Sequence, residues 1–338
     1  MNICVCGVQV PFMSGGVELH YENLANALRE AGHTVDIARL PSTWDKTRIF
    51  DAAMAWRLVP MDADMVIALN FPSYFVRHPN KVVWLAHQHR AAYDGAGSAW
   101  SDFGDDEASL EAQRLLTEWD IVALSEAKRR YSTSGVVANR LARFNGLSAT
   151  PLYHPEPLAD RLVEGSFGHY LFCPTRLETN KRPELMVEAL PHLDSGLSVR
   201  IAGKGSLHDQ LAARASDLGE SDRLGLLGFV SDEQLIEEYA GALGVIYTPH
   251  DEDYGYVTLQ AFRAGKPVIT AVDSGGVLEW VEDGVNGFVT DGSPHAIAEA
   301  ANRLAADPEM AYRMGQAGKA KVATLSWSNV VAALVGEQ

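Results

Sequence analysis

The chain has 338 residues, of which 47% are hydrophobic and 21% charged, and its formal net charge is -16. These values predict a soluble globular protein with two domains. Because nucleic-acid phosphates are bound largely through Lys and Arg, the acidic balance argues against a nucleic-acid partner. The three cysteines, Cys4, Cys6 and Cys173, have neither the number nor the spacing of a disulfide framework or a zinc site, which fits a reducing cytoplasm.

The N-terminal apolar run has no basic region before it and is interrupted by Gly7 and Gln9, so we predict no signal peptide. No apolar stretch reaches about 18 residues, the length that suggests a membrane-spanning helix. The predicted location is therefore cytoplasmic, and any contact with the inner face of a membrane is expected to be peripheral.

The first half of the chain alternates between predicted strands and helices. A strand over 2–10 and a glycine loop over 13–16 lead into a helix with Val17, Tyr21 and Leu24 on one face. A second strand over 34–38 completes a βαβ unit, which implies parallel strands. Further strands are predicted over 64–69, 81–86 and 120–124, and a further helix over 105–119.

The second half repeats this alternation. Periodicity fails and Pro and Gly accumulate over 154–168, where we place the linker. Ser231, with Gln234 three residues later, predicts a capping box at a helix start. Strands are predicted near 170–173, 198–202, 224–227, 243–247 and 267–271. The predicted fold class is α/β, with two doubly wound parallel-sheet, Rossmann-like domains over 1–160 and 161–325 and a terminal helix in 326–338.

The stretch 247–287 carries the most specific pattern. An apolar run ends at Pro249, an acidic loop follows over 251–253, and Gly255 opens a helical pattern that Gly265 closes. The first N–H groups of a helix lack intrahelical partners and lie at the positive end of its dipole. Because Gly255 lets the backbone approach closely, we predict that this helix start binds phosphate or sugar oxygens.

This stretch resembles the signature of the retaining glycosyltransferases of family 4, the group 1 glycosyl transferases, which have the two-domain GT-B fold. The residues that carry the resemblance are Glu252, Tyr254, Gly255, Gln260, Ala261, Gly265, Pro267, Val268, Ser274, Gly275, Gly276 and Glu279. Gln260 stands where the family has a second Glu, a carboxylate associated with the ribose of the nucleotide. An amide lacks that charge, so weaker or altered nucleotide recognition is expected. The resemblance also implies that the domains face a central cleft and that the terminal helix crosses back to the first domain.

Other segments extend the resemblance through the second half. Arg176 and Lys181 follow a predicted strand and match the cations that neutralise the donor diphosphate as it leaves, although spacing alone favours ordinary surface cations. The resemblance assigns Glu252 to the hydroxyls of the donor sugar rather than to a covalent nucleophile. It implies donor contacts for Gly203, Gly205, Phe229, Val230, Tyr254, Gly255, Tyr256, Val257 and Gln260.

Candidate residues of the first domain lie on its loops. His87 follows the strand over 81–86, where an imidazole can donate to a sugar hydroxyl or orient the acceptor, and the resemblance implies a place over the donor sugar. His89 fits the same role, and a purely structural histidine is the alternative. Gly15 and Gly16 resemble the glycine loop of the family, which approaches the donor, while a turn that needs positive φ explains them as well. The glycine-rich segment 91–104 is predicted to be a loop near the acceptor.

Two further patterns have alternative explanations. The segment 251–253 has the letters of a metal-binding D-x-D motif, but the resemblance gives Glu252 another role and implies no metal. The segment 127–155 has five basic residues and no acidic one. A solvated helix face explains this segment better than an anionic acceptor or a membrane surface.

The predicted function is a retaining, metal-independent glycosyltransferase. It would move a sugar from a nucleotide-diphosphate sugar to an acceptor hydroxyl by a front-face mechanism, with the departing phosphate taking the proton of the acceptor. No cofactor is expected, and the acceptor is left open among a saccharide, a lipid-linked molecule and a small molecule. The alternatives are a non-catalytic nucleotide-sugar-binding relative, which Gln260 suggests, and a nucleotide-sugar epimerase of the same fold.

Overall fold

The computed structural model describes residues 1–10, 16–42, 45–98 and 100–336. The chain divides into two compact units. Unit 1 comprises Met1–His154 and Ser326–Gln338, and unit 2 comprises Pro155–Leu325. The first crossing between the units thus lies at the start of the segment 154–168 that we proposed as the linker, six residues before the predicted boundary at 160. The second crossing lies at the predicted boundary, after residue 325.

Unit 1 is built on a parallel sheet. Its strands are β1 (Asn2–Gln9), β2 (Thr34–Pro41), β3 (Met65–Asn70), β4 (Lys81–His87), β5 (Arg129–Ser132) and β6 (Thr150–Pro151). Within the described residues their order is β2-β1-β3-β4-β5-β6, and every neighbouring pair is parallel. Its first four helices are α1 (Gly16–Glu30), α2 (Ile49–Leu58), α3 (Glu107–Ser125) and α4 (Gly135–Asn145).

Both faces of this sheet are buried, as expected of a doubly wound fold. Alternate residues of β1 enter different cores: Cys4 and Cys6 pack on one face, and Ile3 and Val5 on the other. Because side chains alternate across a strand, a run with no polar residue, like positions 3–8 of β1, must be covered on both sides.

The strand predicted over 120–124 is wrong, because these residues form the last turns of α3. The buried positions of the helix recur at helical rather than alternating spacing: Ser109, Leu116, Asp120, Ala123 and Leu124. A short apolar run fits either element, and here it lies on the buried face of the helix. The strand that follows, β5, has the sequence Arg-Arg-Tyr-Ser, which contains no apolar run that would predict a strand.

Unit 2 repeats the architecture with a different strand order. Its strands are β7 (Tyr170–Pro174), β8 (Ser198–Ala202), β9 (Leu224–Gly228), β10 (Gly244–Ile246), β11 (Val268–Ala271) and β12 (Gly287–Thr290). Its helices are α5 (Glu184–Ala189), α6 (His208–Asp217), α7 (Asp232–Gly241), α8 (Tyr256–Arg263), α9 (Pro294–Ala306) and α10 (Pro308–Val322). The parallel sheet runs β12-β11-β10-β7-β8-β9. All five predicted strands of this half are confirmed to within one residue at each end, and the capping box of Ser231 and Gln234 at the start of α7 is confirmed as well.

The terminal helix α11 (Trp327–Val335) belongs to unit 1 and is capped by basic and aromatic side chains of β5. The guanidinium group of Arg129 donates to the carbonyl oxygen of Leu334 at 2.8 Å, and the hydroxyl of Tyr131 donates to that of Ala333 at 3.0 Å. Cations near a helix C-terminus satisfy its last carbonyl groups and oppose its dipole. Part of the basic segment 127–155 therefore serves to fix α11.

Candidate functional site

The strand order of unit 2 reverses between β7 and β10, which pair in parallel. In doubly wound sheets the loops that leave such a pair diverge and open a crevice at the carboxyl ends of the strands. Here the two loops are joined by a hydrogen bond of 2.9 Å from the backbone amide of His250 to the carbonyl oxygen of Asn180. The loop after β7 carries Arg176 and Lys181, and the loop after β10 carries Glu252. The topology therefore brings the predicted phosphate-binding and sugar-binding residues to one crevice.

An ion pair lies at the centre of this crevice. The ammonium group of Lys181 contacts Oε2 of Glu252, and the hydroxyl of Tyr247 donates to the same oxygen at 2.7 Å. The side chains of Lys181 and Glu252 are 14% and 19% exposed, so both reach solvent although most of each is covered. Two donors on one oxygen compensate the negative charge and hold the carboxylate in a fixed position.

The backbone of Glu252 is held by a pair of glycines. The amide of Glu252 donates to the carbonyl oxygen of Ser274, and the amide of Gly276 donates back to the carbonyl oxygen of Glu252 at 2.6 Å. A Cβ atom on Gly275 would lie 2.6 Å from the backbone nitrogen of Glu252, and one on Gly276 would lie 2.6 Å from the carbonyl oxygen of Asp253. The Ser-Gly-Gly sequence is therefore required because two backbone segments meet there without room for side chains.

Arg182 is a site residue that the sequence analysis missed. Its guanidinium group forms a bidentate ion pair with the two carboxylate oxygens of Asp273, at 2.8 and 2.6 Å. It also donates to the carbonyl oxygens of Thr248 and Pro249. It thereby ties the ends of β10 and β11 to the loop that carries Lys181. The pairing lowers the pKa of the Asp273 carboxyl group. Nothing in the sequence distinguishes Arg182 from an ordinary surface cation.

Helix α8 begins where the crevice opens, with Gly255 as its N-cap at φ 84° and ψ 60°. This left-handed conformation favours glycine, and a Cβ atom there would also lie only 3.0 Å from the side chain of Val277. The buried ring of Tyr254 packs near those of Tyr256 and Trp280, with centroids 5.5 and 6.1 Å away. The first turn of α8, which includes the predicted donor-binding residue Val257, therefore has a rigid aromatic support.

Gln260, in the second turn of α8, has two protein partners. Its Oε1 accepts from the hydroxyl of Tyr239 at 2.9 Å, and its Nε2 donates to the carbonyl oxygen of Pro157 at 3.1 Å. The side chain is buried. Because a backbone carbonyl can only accept, the amide nitrogen must face Pro157, and a carboxylate could not make this bond.

The turn after β8 forms the next wall of the crevice. Gly203 lies at φ 151°, and a Cβ atom there would overlap the carbonyl oxygen of Thr175, just before the exposed Arg176. A Cβ atom on Gly205 would likewise overlap the carbonyl oxygen of Leu177. These two glycines are thus explained by close packing against the loop of Arg176.

Beyond β9 the chain presents a large exposed aromatic residue. Phe229 is 77% exposed, and Nζ of Lys204 lies 5.8 Å from its ring centroid. The following residue, Val230, is half-buried. An exposed ring beside a cation offers a flat surface for a planar or sugar-like group.

The structure distinguishes the two candidate histidines of unit 1. His87 ends β4, is half-buried, and its Nδ1 lies 2.9 Å from the carbonyl oxygen of Gln88. His89 is buried with its ring near those of Phe71 and Phe103, and burial lowers its pKa to about 4. His87 is therefore the better placed of the two to meet a ligand.

The glycine loop of unit 1 is described only at its end. Gly15 lies outside the described residues, and Gly16 is the exposed first residue of α1. The same end of the sheet is fixed by Tyr21 of α1, whose hydroxyl donates to Asn70 at 2.7 Å and accepts from the amide of Val8. The start of α1 is therefore held at the carboxyl ends of β1 and β3, where the strand order of unit 1 reverses.

Two properties of the described residues bear on partners. They contain no group of three or more His, Cys, Asp or Glu side chains that could hold a metal ion. No helix among them is both long and apolar enough to cross a membrane. The acidic loop 251–253 instead bonds to other segments of unit 2, through Glu252 and through the amide of Asp251, which donates to the carbonyl oxygen of Asp273.

Residues 166–321, which make up most of unit 2, match the family model described as glycosyl transferases group 1. The chain is 30% identical over 249 residues to the D-inositol 3-phosphate glycosyltransferase of Thermobifida fusca, covering 69% of this chain and 56% of that protein. It is 31% identical over 186 residues to the alpha-1,3/1,6-mannosyltransferase ALG2 of Homo sapiens, covering 50% and 44%. The chain thus spans about half the length of these curated relatives, and its match to the group 1 glycosyl transferases lies in unit 2.

Solved structures resemble nearly the whole chain. Sucrose-phosphate synthase from Thermosynechococcus elongatus has a TM-score of 0.80 at 16% identity, covering 99% of this chain and 97% of that one. HepE from Anabaena, in complex with UDP and glucose, has a TM-score of 0.72 at 18% identity, covering 99% and 98%. At such identities the likeness concerns the fold, and it confirms the predicted α/β GT-B fold.

Proposed function

We propose that this protein is a retaining glycosyltransferase that moves a sugar from a nucleotide-diphosphate sugar to an acceptor hydroxyl without a metal ion. The observation that carries the proposal is the Lys181–Glu252 pair, held by Tyr247 at the strand-order reversal of unit 2 beside the start of α8. The group 1 match to this unit supports the class of reaction. The donor therefore binds mainly to unit 2, and unit 1 supplies residues for the acceptor.

In this proposal Lys181 and Arg176 bind the diphosphate. Arg182 is less suited to that task, because Asp273 and two carbonyl groups already occupy its guanidinium group. A cation about 4 Å from a phosphate charge contributes on the order of 4 kcal/mol near a protein surface, which offsets the repulsion from the acidic loop 251–253. The N–H groups at the start of α8 add further donors for the same oxygens.

Glu252 is proposed to bind hydroxyls of the donor sugar rather than to attack its anomeric carbon. Lys181 and Tyr247 already compensate the charge on Oε2, which reduces the nucleophilicity of the carboxylate but preserves it as an acceptor. Without a covalent intermediate, retention requires the acceptor to enter on the face from which the phosphate leaves. The departing phosphate oxygen then takes the proton of the acceptor.

His87 is proposed as the residue of unit 1 that contacts the sugar. The carbonyl oxygen of Gln88 can only accept, so Nδ1 of the neutral His87 ring carries the proton that bridges them. Nε2 is then the acceptor nitrogen of the ring, suited to a sugar hydroxyl. Gly16 at the start of α1 is proposed to lie near the donor as well.

A transfer assay tests the proposal. UDP-sugars are the first donors to try, because HepE was solved with UDP-glucose, followed by GDP- and ADP-sugars, with sugar, sugar-phosphate and lipid-linked acceptors. We expect a product whose anomeric configuration, read by NMR, matches the donor, at a rate that EDTA does not change. Inversion or loss of activity in EDTA would contradict the mechanism. Interconversion of donor sugars without an acceptor would indicate an epimerase, and donor binding without transfer or hydrolysis would indicate a non-catalytic relative.

A further inference from the structure

One side of α8 faces the segment 155–165, by which the chain enters unit 2 and which we call the crossover segment. Gln260 and Arg263 are three residues apart and lie on one side of the helix, and Lys266 follows the left-handed turn at Gly265 that ends it. Each of the three donates a hydrogen bond to the crossover segment, at 3.1, 2.9 and 2.9 Å. The second half of the helix whose start faces the proposed donor site, and the turn after it, are thus attached to the incoming chain.

Arg263 bonds to both of the segments through which the chain enters and leaves unit 2. Its Nε donates to Oε1 of Glu156 at 2.9 Å, two residues after the first crossing. Its Nη2 donates to the carbonyl oxygen of Val322 at 3.0 Å, three residues before Leu325, where the chain leaves unit 2. Glu156 is buried, and burial raises its pKa while Arg263 opposes that shift. One guanidinium group therefore holds the incoming and outgoing segments to α8.

Lys266 completes the row. Its ammonium group donates to the carbonyl oxygen of Gly165 and lies 4.1 Å from the ring centroid of Phe167. The side chain is buried, and burial lowers its pKa to about 8. A buried cation that makes one backbone bond and one ring contact has a fixed position, so the far end of the crossover segment is also held.

We propose that Gln260 and Arg263 are positioning residues that fix both crossing points of the chain to the donor-binding helix, and that Gln260 does not bind the nucleotide ribose. The choice of glutamine follows from its partners, because an amide can accept from Tyr239 and donate to Pro157 at once, whereas an ionised carboxylate can only accept. The part of this inference that calls α8 donor-binding rests on the proposed function. The part that concerns Gln260 and the crossover segment does not.

Gln260→Glu separates the two roles of this position. If Gln260 binds a ribose, the carboxylate of the variant should strengthen nucleotide binding. If Gln260 is a positioning residue, the variant loses the N–H donor to Pro157, and a carboxylate oxygen then faces the carbonyl oxygen of Pro157. Protonation restores an O–H donor, so the damage should disappear at low pH. The charged or titratable groups around the amide are Tyr239 on α7, Arg263 on α8 and Glu156, whose negative charge also acts on Tyr239 and Tyr256.

The experiment is hydrogen–deuterium exchange on the intact protein, with each variant compared with wild type at the same pH. At pH 8 we expect Gln260→Glu to speed exchange about tenfold or more in peptides covering 155–165 and to lower the melting temperature by about 5 °C. At pH 5 both changes should shrink towards wild type. Gln260→Met should show them at both pH values, since it can form neither bond. Gln210→Glu, which adds the same charge at an exposed position of α6, should show neither.

A second variant tests the double attachment. Arg263→Lys keeps the charge but has one compact donor group in place of a fork, so exchange should rise in peptides covering 155–165, 320–325 or both. UDP titrations accompany each measurement. The expected UDP affinity of Gln260→Glu lies within about threefold of wild type.

Two results would overturn the inference. One is unchanged exchange in Gln260→Glu at pH 8, and the other is UDP affinity that rises tenfold or more in that variant, which would place Gln260 at the nucleotide. If neither UDP, GDP nor ADP binds the wild-type protein while the exchange changes appear, the positioning role stands and the proposed function fails.

Discussion

The two units present different chemistry at the carboxyl ends of their sheets. In unit 2 the loops carry charges that are paired side chain to side chain, Lys181 with Glu252 and Arg182 with Asp273. In unit 1 the candidate residues are rings: His87 bonds to a backbone carbonyl group, and His89 packs among aromatic side chains. The loop after β4 also carries the Arg90–Asp94 ion pair. In the proposed function, unit 2 therefore binds the charged leaving group, and His87 of unit 1 contacts the sugar.

The two ends also depend on different constraints. The crevice of unit 2 relies on glycines where backbone segments touch, so its geometry is fixed by the absence of side chains. The end of unit 1 that carries His89 relies on burying a ring that must remain neutral. Substitutions of these glycines should therefore destabilise unit 2 at every pH, whereas the wild-type His89 cluster should itself weaken as the pH falls.

The largest effect is expected for Gly203→Ala. The new Cβ atom would overlap the carbonyl oxygen of Thr175 at a φ of 151°, so we expect a loss of about 2 to 4 kcal/mol in the free energy of unfolding. The matched control is Gly196→Ala, because Gly196 has open space around it and no positive φ. Urea denaturation should show the control unchanged or slightly more stable. Equal losses in the two variants would mean that close packing does not explain Gly203.

A smaller effect, on activity, is expected for Glu252→Gln. The amide keeps the shape but loses the charge that pairs with Lys181 and that, in the proposed function, accepts from the sugar hydroxyls, so kcat/KM should fall about 100-fold with little change in fold. Glu238→Gln is the control, since Glu238 is a similarly covered carboxylate, 18% exposed, that pairs with Arg200. An equal fall in that variant would show that the loss is not specific to the site.

The smallest effect at neutral pH is expected for His89→Phe. Burial lowers the pKa of His89 to about 4, so the unfolded chain takes up a proton first as pH falls. Its contribution to stability is full above about pH 6.5 and is lost as pH falls towards 4. The variant should reduce the pH slope of unfolding in that window by up to about 1.4 kcal/mol per pH unit, with the exposed His169→Gln as control. An unchanged slope would contradict the buried neutral ring.

Most of the fold of unit 2 could be predicted because its strands are short apolar runs bounded by turn residues. The strands that escaped prediction, such as β5 and β12, have four residues each and lack a long apolar run. Residues 120–124 were predicted to be a strand because a short apolar run shows no clear periodicity. Only the packing of such a run decides between helix and strand.

The site was predictable where its chemistry depends on local spacing. Glu252, Gly255 and the Ser-Gly-Gly segment lie close together in sequence, so their pattern survives without the fold. Arg182 and the partners of Gln260 could not be predicted, because Asp273 lies 91 residues from Arg182 and Pro157 lies 103 residues from Gln260. Such pairs exist only once parallel strands bring distant loops to the same edge.

Thermal unfolding with nucleoside diphosphates tests the central claim, that the Lys181–Glu252 crevice binds a donor diphosphate. A ligand that binds only the folded protein must raise its melting temperature. We expect UDP, GDP or ADP, in EDTA, to stabilise the wild-type protein and Lys319→Ala equally, since Lys319 pairs with Glu164 away from the crevice. Lys181→Ala should bind that nucleotide about 10 to 100 times more weakly. Equal stabilisation of Lys181→Ala, or none in the wild type, would contradict the claim.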